Sequence, residues 1–222
     1  LEDSVVFSPH ARAASPVNLE SEFARTGRAS LTLDEALKAI GTKSANDAAR
    51  AVAEHIAGSE AAFAVQMTAM AAEIGMQKTM YANASGLPDE RQVTTARDML
   101  LLMRYVQQRY PAYIPYLSAR EFTIAKSERV LAAERKRAAR RGRNHTAPDA
   151  FVRVAGHFSL MGQRFANGYK VEWGKTGFVG ASGFNRSMEA SRADGAVLSA
   201  AVFGGVNAAS ADNCLKTMVS RL

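Results

Sequence analysis

The chain has 222 residues, of which 47% are hydrophobic and 22% charged, and it carries a net charge of +7. This composition excludes a disordered chain and predicts one or two globular domains with a sizeable core. No stretch of about eighteen apolar residues occurs, and residues 1–8 contain acidic but no basic residues, so we expect neither a membrane-spanning helix nor a signal peptide among these residues.

Residues 32–110 have the texture of several helices, because their apolar residues recur at intervals of three and four. Thr32 and Glu35 make a Thr-x-x-Glu capping box. We therefore predict a short helix over residues 32–40, ended by Gly41.

A second helix is predicted to begin with Ser44 or Asn46 as its N-cap and to end at Gly58. A third is predicted over residues 60–75. The spacing of its apolar residues predicts a buried stripe, formed by Phe63, Met67, Met70, Ala71 and Ile74.

Residues 79–95 are rich in Asn, Gly and Pro and are predicted to form a loop, followed by a helix capped by Thr94 or Thr95 that ends before Pro111. Short apolar runs after residue 121 are typical of strands. We predict strands over residues 169–175, 184–191 and 196–204, with an Asp-Gly hairpin turn between the last two and a closing helix over residues 208–222.

The order of helices, antiparallel sheet and final helix predicts an α+β fold. Residues 1–120 are expected to form a mainly helical lobe and residues 121–222 an antiparallel sheet with the C-terminal helix. The natural place for an active site is a cleft between the two parts.

The excess positive charge is concentrated in residues 135–143, Arg-Lys-Arg-Ala-Ala-Arg-Arg-Gly-Arg. We interpret this run as a solvated, mobile loop, with attraction to a polyanion as the alternative. No aromatic residue interleaves it, so no specific nucleic-acid site is expected. The lone cysteine, Cys214, excludes an internal disulfide and is expected to fill the core, and the lone His157 is expected to be structural.

Two short motifs have the residue types of a catalytic site. Ser44-Ala45-Asn46 stands at the start of a predicted helix, and Lys175-Thr176-Gly177 at the end of a predicted strand. Either motif alone is common. In this order they are the second and third motifs of penicillin-binding proteins and serine β-lactamases.

The sequence around both motifs resembles the low-molecular-weight penicillin-binding proteins, which are serine-type D-alanyl-D-alanine carboxypeptidases. The resemblance covers residues 30–125 and 170–222, with close matches over residues 44–54, 79–88, 94–99, 175–178 and 181–185. It implies the penicillin-binding protein/serine β-lactamase fold, a helical lobe plus an antiparallel sheet flanked by helices.

The resemblance also implies an acyl-enzyme route without metal or cofactor, in which a serine attacks the bond between two D-alanines. Ser44 and Asn46 would relay a proton and hold the substrate amide, and Lys175 would supply positive charge. The implied ligands are peptidoglycan stem peptides ending in D-Ala-D-Ala and β-lactams. The implied location is periplasmic or otherwise extracytoplasmic.

The resemblance also implies that three consecutive residues of the strand with the Lys-Thr-Gly motif bind the substrate. Thr176 would bind the terminal carboxylate, Gly177 would let the substrate backbone lie close, and Phe178 follows them along the strand. The family's Asn-rich stretch is replaced here by residues 156–161, Gly-His-Phe-Ser-Leu-Met, which departs from the usual substrate contacts.

The family's nucleophile belongs to a Ser-x-x-Lys motif, and no lysine of this chain has a serine three residues before it. Residues 30–33, Ser-Leu-Thr-Leu, imitate the motif with Leu33 in place of lysine. One interpretation is that an upstream segment carries the nucleophile, so that this chain alone is inactive. The same segment would supply sheet strands, because without them an edge of the sheet would be unpaired. The other is a catalytically dead relative that binds cell-wall peptides. The sequence leaves open the carboxypeptidase, endopeptidase or transpeptidase outcome, the oligomeric state and membrane attachment.

Overall fold

The structure, a computed structural model, describes residues 1–140 and 147–222. Its first elements are strand β1 (Ser4–Val6), helices α1 (Pro9–Arg12) and α2 (Glu20–Thr26), and strand β2 (Ser30–Thr32). β1 and β2 pair antiparallel, with Val5 opposite Leu31. Both of these side chains are fully buried and join the first hydrophobic core.

Helix α3 (Leu33–Lys38) has the predicted capping box between Thr32 and Glu35. The prediction that Gly41 ends the helix is wrong, because the chain continues as a π-helical turn over Ala39–Lys43. Gly41 serves a close approach instead: a Cβ atom there would overlap the carbonyl oxygen of Tyr116.

Helix α4 (Asn46–Ala57) lies where it was predicted, but neither Ser44 nor Asn46 is its N-cap. Ser44 has a left-handed conformation and Asn46 is already helical, which leaves Ala45 at the capping position. The Asp47 carboxylate satisfies backbone donors in their place, accepting the N–H groups of Leu19 at 2.8 Å and Ala48 at 2.9 Å.

Helix α5 (Glu60–Ile74) has the predicted bounds, but the prediction of a buried methionine stripe is wrong. Of the five predicted stripe residues only Ala71 is buried, and Met70 is 43% exposed. The reason is packing: the described chain places α4 on one side of α5 and helix α6 (Ala96–Arg109) on another, and leaves much of its apolar surface uncovered.

Thr95 caps α6, as predicted, and the loop before it is irregular apart from one bridge between Met80 and Val93. A 3-10 turn (Pro111–Tyr113) and helix α7 (Ile114–Ser118) lead to strand β3 (Glu121–Ala125). β3 pairs antiparallel with β4 (Phe151–Ala155).

Helix α8 (Glu128–Arg140) lies between β3 and β4 and corrects the interpretation of the basic run. Residues 135–140 are helical rather than a mobile loop, because Leu131 is buried and Glu134 forms an ion pair with Lys126 at 2.8 Å, which together hold the helix on the body. The remainder of the run, residues 141–143, lies outside the described residues.

The C-terminal part is a three-stranded antiparallel sheet in the order β5-β6-β7, formed by Lys170–Val179, Gly183–Ser191 and Val197–Gly205. Helix α9 (Ala208–Ser220) buries Leu215 and Val219 against it, in a second core with Val171 and Met188. The predicted hairpin and closing helix are confirmed. Cys214 is exposed, contrary to expectation, because its neighbour Leu215 faces the sheet.

The α+β fold class is therefore confirmed, with the elements from β1 to α4 packed together with β3 and β4 in one core and the β5-β6-β7 sheet packed with α9 in another. The division into lobes at residue 120 stays a prediction. Within the described residues, no helix combines the length and the apolar character that crossing a bilayer requires.

Candidate active site

Ser44 lies at the end of the π-helical turn in a left-handed conformation, with φ of 61° and ψ of 38°. It is the one non-glycine residue with a positive φ in residues 1–140 and 147–222. This conformation costs of order 1–2 kcal/mol for a residue with a Cβ atom, and such strain persists where the surrounding structure enforces it, often at active sites.

Contacts on both sides of Ser44 enforce this conformation. The Lys43 ammonium donates to both carboxylate oxygens of Glu22, at 2.7 and 2.8 Å, and the Asn46 N–H donates to the carbonyl of Val17 at 2.8 Å. Burial of Glu22 raises its pKa, but hydrogen bonds from Lys43 and Ser21 outweigh burial and leave that pKa below its ordinary value. The carboxylate is therefore charged at neutral pH and ties Lys43 to α2.

Lys175, in the middle of β5, reaches across to this turn. Its Nζ atom donates to the Ser44 hydroxyl at 2.6 Å and to the carbonyl oxygen of Thr176 at 2.8 Å. Burial disfavours the ammonium, and the positive charge of Arg186 adds repulsion, so the pKa of Lys175 is lowered to about 8. At pH 7 about nine-tenths of the molecules still carry the charge.

The other predicted site residues lie beside this contact. Asn46 is the first residue of α4 and is 8% exposed. Thr176, Gly177 and Phe178 follow Lys175 on β5, where Thr176 pairs with Arg186 of β6. The structure thus brings all six predicted residues to one region, with the Ser44–Lys175 hydrogen bond at its centre.

β5 is an edge strand, which matters for what the site can bind. Near its start, the 162–163 segment bonds to Val171, but further along no strand of the described residues pairs with its outer edge. A Cβ atom at Gly177 would touch only the Cβ of Asn185, at 3.9 Å, so internal packing does not require glycine there. Free backbone groups and open space at Gly177 suit an extended peptide added as a further strand.

Arg186 is a residue that sequence reasoning missed. It is 7% exposed, and its Nε donates to the Asp212 carboxylate at 2.9 Å, whose other oxygen accepts the Ser159 hydroxyl at 2.6 Å. This network ties β6, α9 and the segment before β5 together next to the Lys-Thr-Gly motif. From the sequence, this residue could have been identified only by predicting the strand register, which sets Arg186 opposite Thr176.

A cavity of about 260 Å³ adjoins the site, and its lining includes Gly41, Thr42, Phe158, Ser159 and Gly174. Thr42 is 5% exposed and its hydroxyl has no hydrogen-bond partner among the described residues. The backbone N–H of His157 donates to the Thr42 carbonyl at 3.3 Å, and this contact helps to position the segment around His157. Residues 1–140 and 147–222 contain no cluster of His, Cys, Asp and Glu suited to a metal ion.

Curated relatives match parts of the chain. It is 39% identical over 74 residues to the D-alanyl-D-alanine carboxypeptidase DacF of Bacillus subtilis, a match that covers 33% of this chain and 19% of that protein. It is 34% identical over 89 residues to the D-alanyl-D-alanine carboxypeptidase DacC of Escherichia coli, covering 40% and 22% respectively.

Solved structures match almost the whole chain. The D-alanyl-D-alanine carboxypeptidase DacD from Francisella tularensis superposes with a TM-score of 0.77 at 23% identity, over 99% of this chain and 57% of that one. Penicillin-binding protein D2 from Listeria monocytogenes, in its ampicillin-bound form, gives 0.74 at 21% identity, over 100% and 77%. These likenesses show the penicillin-binding protein fold.

The matched sequence covers less than a quarter of the length of either curated relative. The chain covers 57% of the Francisella structure. A family model described as D-alanyl-D-alanine carboxypeptidase matches residues 1–207. Since that match takes in both motifs and nearly all of the fold, the chain belongs to the D-alanyl-D-alanine carboxypeptidase family.

Proposed function

We propose that these residues form part of a serine-type D-Ala-D-Ala carboxypeptidase that acts on peptidoglycan stem peptides in an extracytoplasmic compartment. The observation that carries the proposal is the 2.6 Å hydrogen bond from the Lys175 ammonium to the Ser44 hydroxyl. A hydroxyl held by a cation at the edge of an open strand is a suitable proton relay for acyl transfer. The serine nucleophile lies on a segment outside these 222 residues.

In the acylation step the nucleophilic serine oxygen bonds to the carbonyl carbon of the penultimate D-alanine, and the C–N bond to the last D-alanine breaks. The nucleophilic serine loses its hydroxyl proton, which passes through the Ser44 hydroxyl to the leaving amine. The Lys175 charge favours the ionised state of Ser44 during the transfer, and the Asn46 amide holds the substrate amide. Water then cleaves the ester and releases the shortened peptide.

The free edge of β5 supplies the binding surface. The substrate backbone adds alongside Thr176, Gly177 and Phe178, with main-chain hydrogen bonds fixing its register. The Thr176 hydroxyl binds the terminal carboxylate, and an N–H group of this strand donates to the developing oxyanion. β-Lactams, as mimics of the same peptide, are expected to occupy the same place, and the Listeria relative has an ampicillin-bound form.

Uncovered apolar surface supports a further segment of the same protein. Val65 of α5 is 70% exposed and Phe203 of β7 is 39% exposed, and no strand of the described residues pairs with the outer edge of β7. Glu189, 3% exposed, has one carboxylate oxygen without a hydrogen-bond partner in that part of the chain. A helix and strands packed there would cover the apolar groups and supply the missing donor.

The test uses the full-length gene product and a peptide ending in D-Ala-D-Ala. We expect release of free D-alanine, and loss of that release in Lys175→Ala. An acceptor amine added to the assay separates hydrolysis from transpeptidation, because transpeptidation consumes the acceptor. A full-length protein that releases no D-alanine, with or without the acceptor, contradicts the enzymatic proposal.

The absence of Ser-x-x-Lys from these residues favours one second candidate, a catalytically dead module that binds cell-wall peptides. It uses the same β5 edge and the same Lys175 contact, but it has no nucleophile anywhere in the protein. Its signature is saturable binding of the D-Ala-D-Ala peptide, lost in Lys175→Ala, with the peptide recovered intact.

A further inference from the structure

The C-terminal turns of α8, residues 135–140, carry four exposed cations that the proposed site does not use. Arg135, Lys136, Arg137 and Arg140 are all exposed. None of them forms an ion pair with a carboxylate within residues 1–140 and 147–222, where the neighbouring Glu134 is engaged by Lys126. We define these four residues as the α8 basic face.

Helix geometry explains why the four charges point outward together. Leu131 is buried and Glu134 binds Lys126, and the half-buried Ala138 continues the same side of the helix at intervals of three and four. At 3.6 residues per turn, Lys136 and Arg140 lie about opposite that side, and Arg135 and Arg137 lie on its two flanks. The anchored side therefore fixes the direction of the basic face.

Helix stability alone does not account for this charge density. Cations in the last turn interact favourably with the helix dipole, which suits Arg140 and Arg137. That effect falls off within one turn, and Lys136 and Arg140, four residues apart, repel each other. A partner that supplies negative charge would relieve the repulsion among these four cations.

The first turn of α8 lies away from the cavity beside the proposed site. β3 leaves the cavity at Arg120, whose carbonyl accepts the Gly156 N–H at 2.7 Å, and runs along β4 toward α8. Five residues of strand place the start of α8 roughly 15 Å from the cavity.

We propose that the α8 basic face is a docking surface for a membrane rich in acidic phospholipids. It is convex and lies on a single helix, which suits a flat surface, whereas a linear polyanion is usually tracked by a groove. Only small side chains, Ala132, Ala133 and Ala139, are exposed between the cations. The contact is therefore electrostatic, at the level of the headgroups and without insertion, and no aromatic residue is present to stack on nucleic-acid bases.

The test measures flotation of the full-length protein with neutral phosphatidylcholine vesicles and with vesicles containing about 30% phosphatidylglycerol. The ratio of the two partition coefficients cancels any attachment that does not depend on lipid charge. Four substitutions, Arg135→Gln, Lys136→Gln, Arg137→Gln and Arg140→Gln, remove the basic face while keeping strong helix formers. Each removed charge should weaken partitioning to the acidic vesicles roughly fivefold. We therefore expect the ratio of the two partition coefficients to fall about a hundredfold or more.

The matched control removes four exposed arginines elsewhere, with Arg97→Gln, Arg104→Gln, Arg109→Gln and Arg221→Gln. Its net charge changes equally, and we expect its ratio to stay within about threefold of the wild-type ratio, since charges more than a Debye length from the membrane are screened. Circular dichroism checks that both variants fold. Equal losses in the two variants overturn the proposal, because they reduce it to an effect of net charge.

Two further results bear on the wild-type protein and do not depend on any variant. The ratio should fall steeply as sodium chloride is raised, and a ratio near one at low salt, or one that salt leaves unchanged, overturns the proposal. A single-stranded oligonucleotide at the same charge concentration serves as competitor. If it binds more tightly than the acidic vesicles, the partner is a polymer and the membrane proposal fails.

Discussion

Replacing Lys175 by alanine removes the hydrogen bond on which the proposed chemistry depends. The bond joins an ammonium and a hydroxyl at 2.6 Å inside a half-buried site. Hydrogen bonds to charged groups contribute about 1.5–3 kcal/mol, which corresponds to a roughly 10- to 100-fold slower acylation. The loss should appear in the second-order rate constant for acylation by a fluorescent penicillin, measured on the full-length protein.

A matched variant separates this effect from a general loss of charge. Lys170→Gln removes a cation from the start of the same strand, where Lys170 pairs with Glu172 at 2.9 Å and does not contact Ser44. We expect this variant to react within about twofold of the wild-type rate, since an exposed pair contributes little.

A double-mutant cycle then assigns the effect to the Ser44–Lys175 contact. Ser44→Ala should slow acylation to a similar extent, and adding Lys175→Ala to it should cost much less than Lys175→Ala alone. If the fold-loss in the double variant equals the product of the two single losses, the residues act independently and a shared relay is refuted. An unaltered rate in Lys175→Ala itself would refute it as well.

Three further outcomes are expected. The acylation rate should fall as pH rises through about 8, because the Lys175 ammonium, whose pKa burial lowers to about 8, is needed in its charged form; a flat profile to pH 10 contradicts this role. Glu22→Gln should lower the free energy of unfolding in urea by about 2–3 kcal/mol, because it leaves the Lys43 charge without its partner. As a control, Arg91→Gln at an exposed ion pair should leave the urea midpoint of unfolding unchanged. The Glu22 contribution should be present at neutral pH and disappear as pH falls through its lowered folded-state pKa, so that wild type and variant converge in acid. Gly41→Ala should destabilise the fold by about 1–3 kcal/mol and slow acylation, since the added methyl group meets the Tyr116 carbonyl; unchanged melting would show that the π-helical turn can shift.

The sequence predicted the elements whose signals are local. The capping box at Thr32 and Glu35, the cap at Thr95 and the Asp-Gly turn each satisfy backbone groups within a few residues, and each appears as predicted. The two motifs were recognisable because their residue types and order are restricted by chemistry. Their proximity followed only from the resemblance, and the structure adds the distance between Ser44 and Lys175.

The features that were missed depend on long-range packing. Arg186 has no signal in its neighbours, because its role comes from strand register and from Asp212 on α9. The methionine stripe of α5 has the periodicity of a buried face, yet burial requires a partner that the described chain does not place there. In the basic run, alanine and arginine have high helix propensity, and the buried Leu131 decided the outcome for residues 135–140.

The most direct test of the proposed function is to identify the residue that a penicillin acylates in the full-length protein. Intact mass after incubation gives the number of adducts, and peptide mapping gives the position. The proposal requires one adduct, on the serine of a Ser-x-x-Lys motif encoded outside these 222 residues and lost when that serine is changed to alanine. No adduct, or an adduct on a serine within these residues, contradicts it.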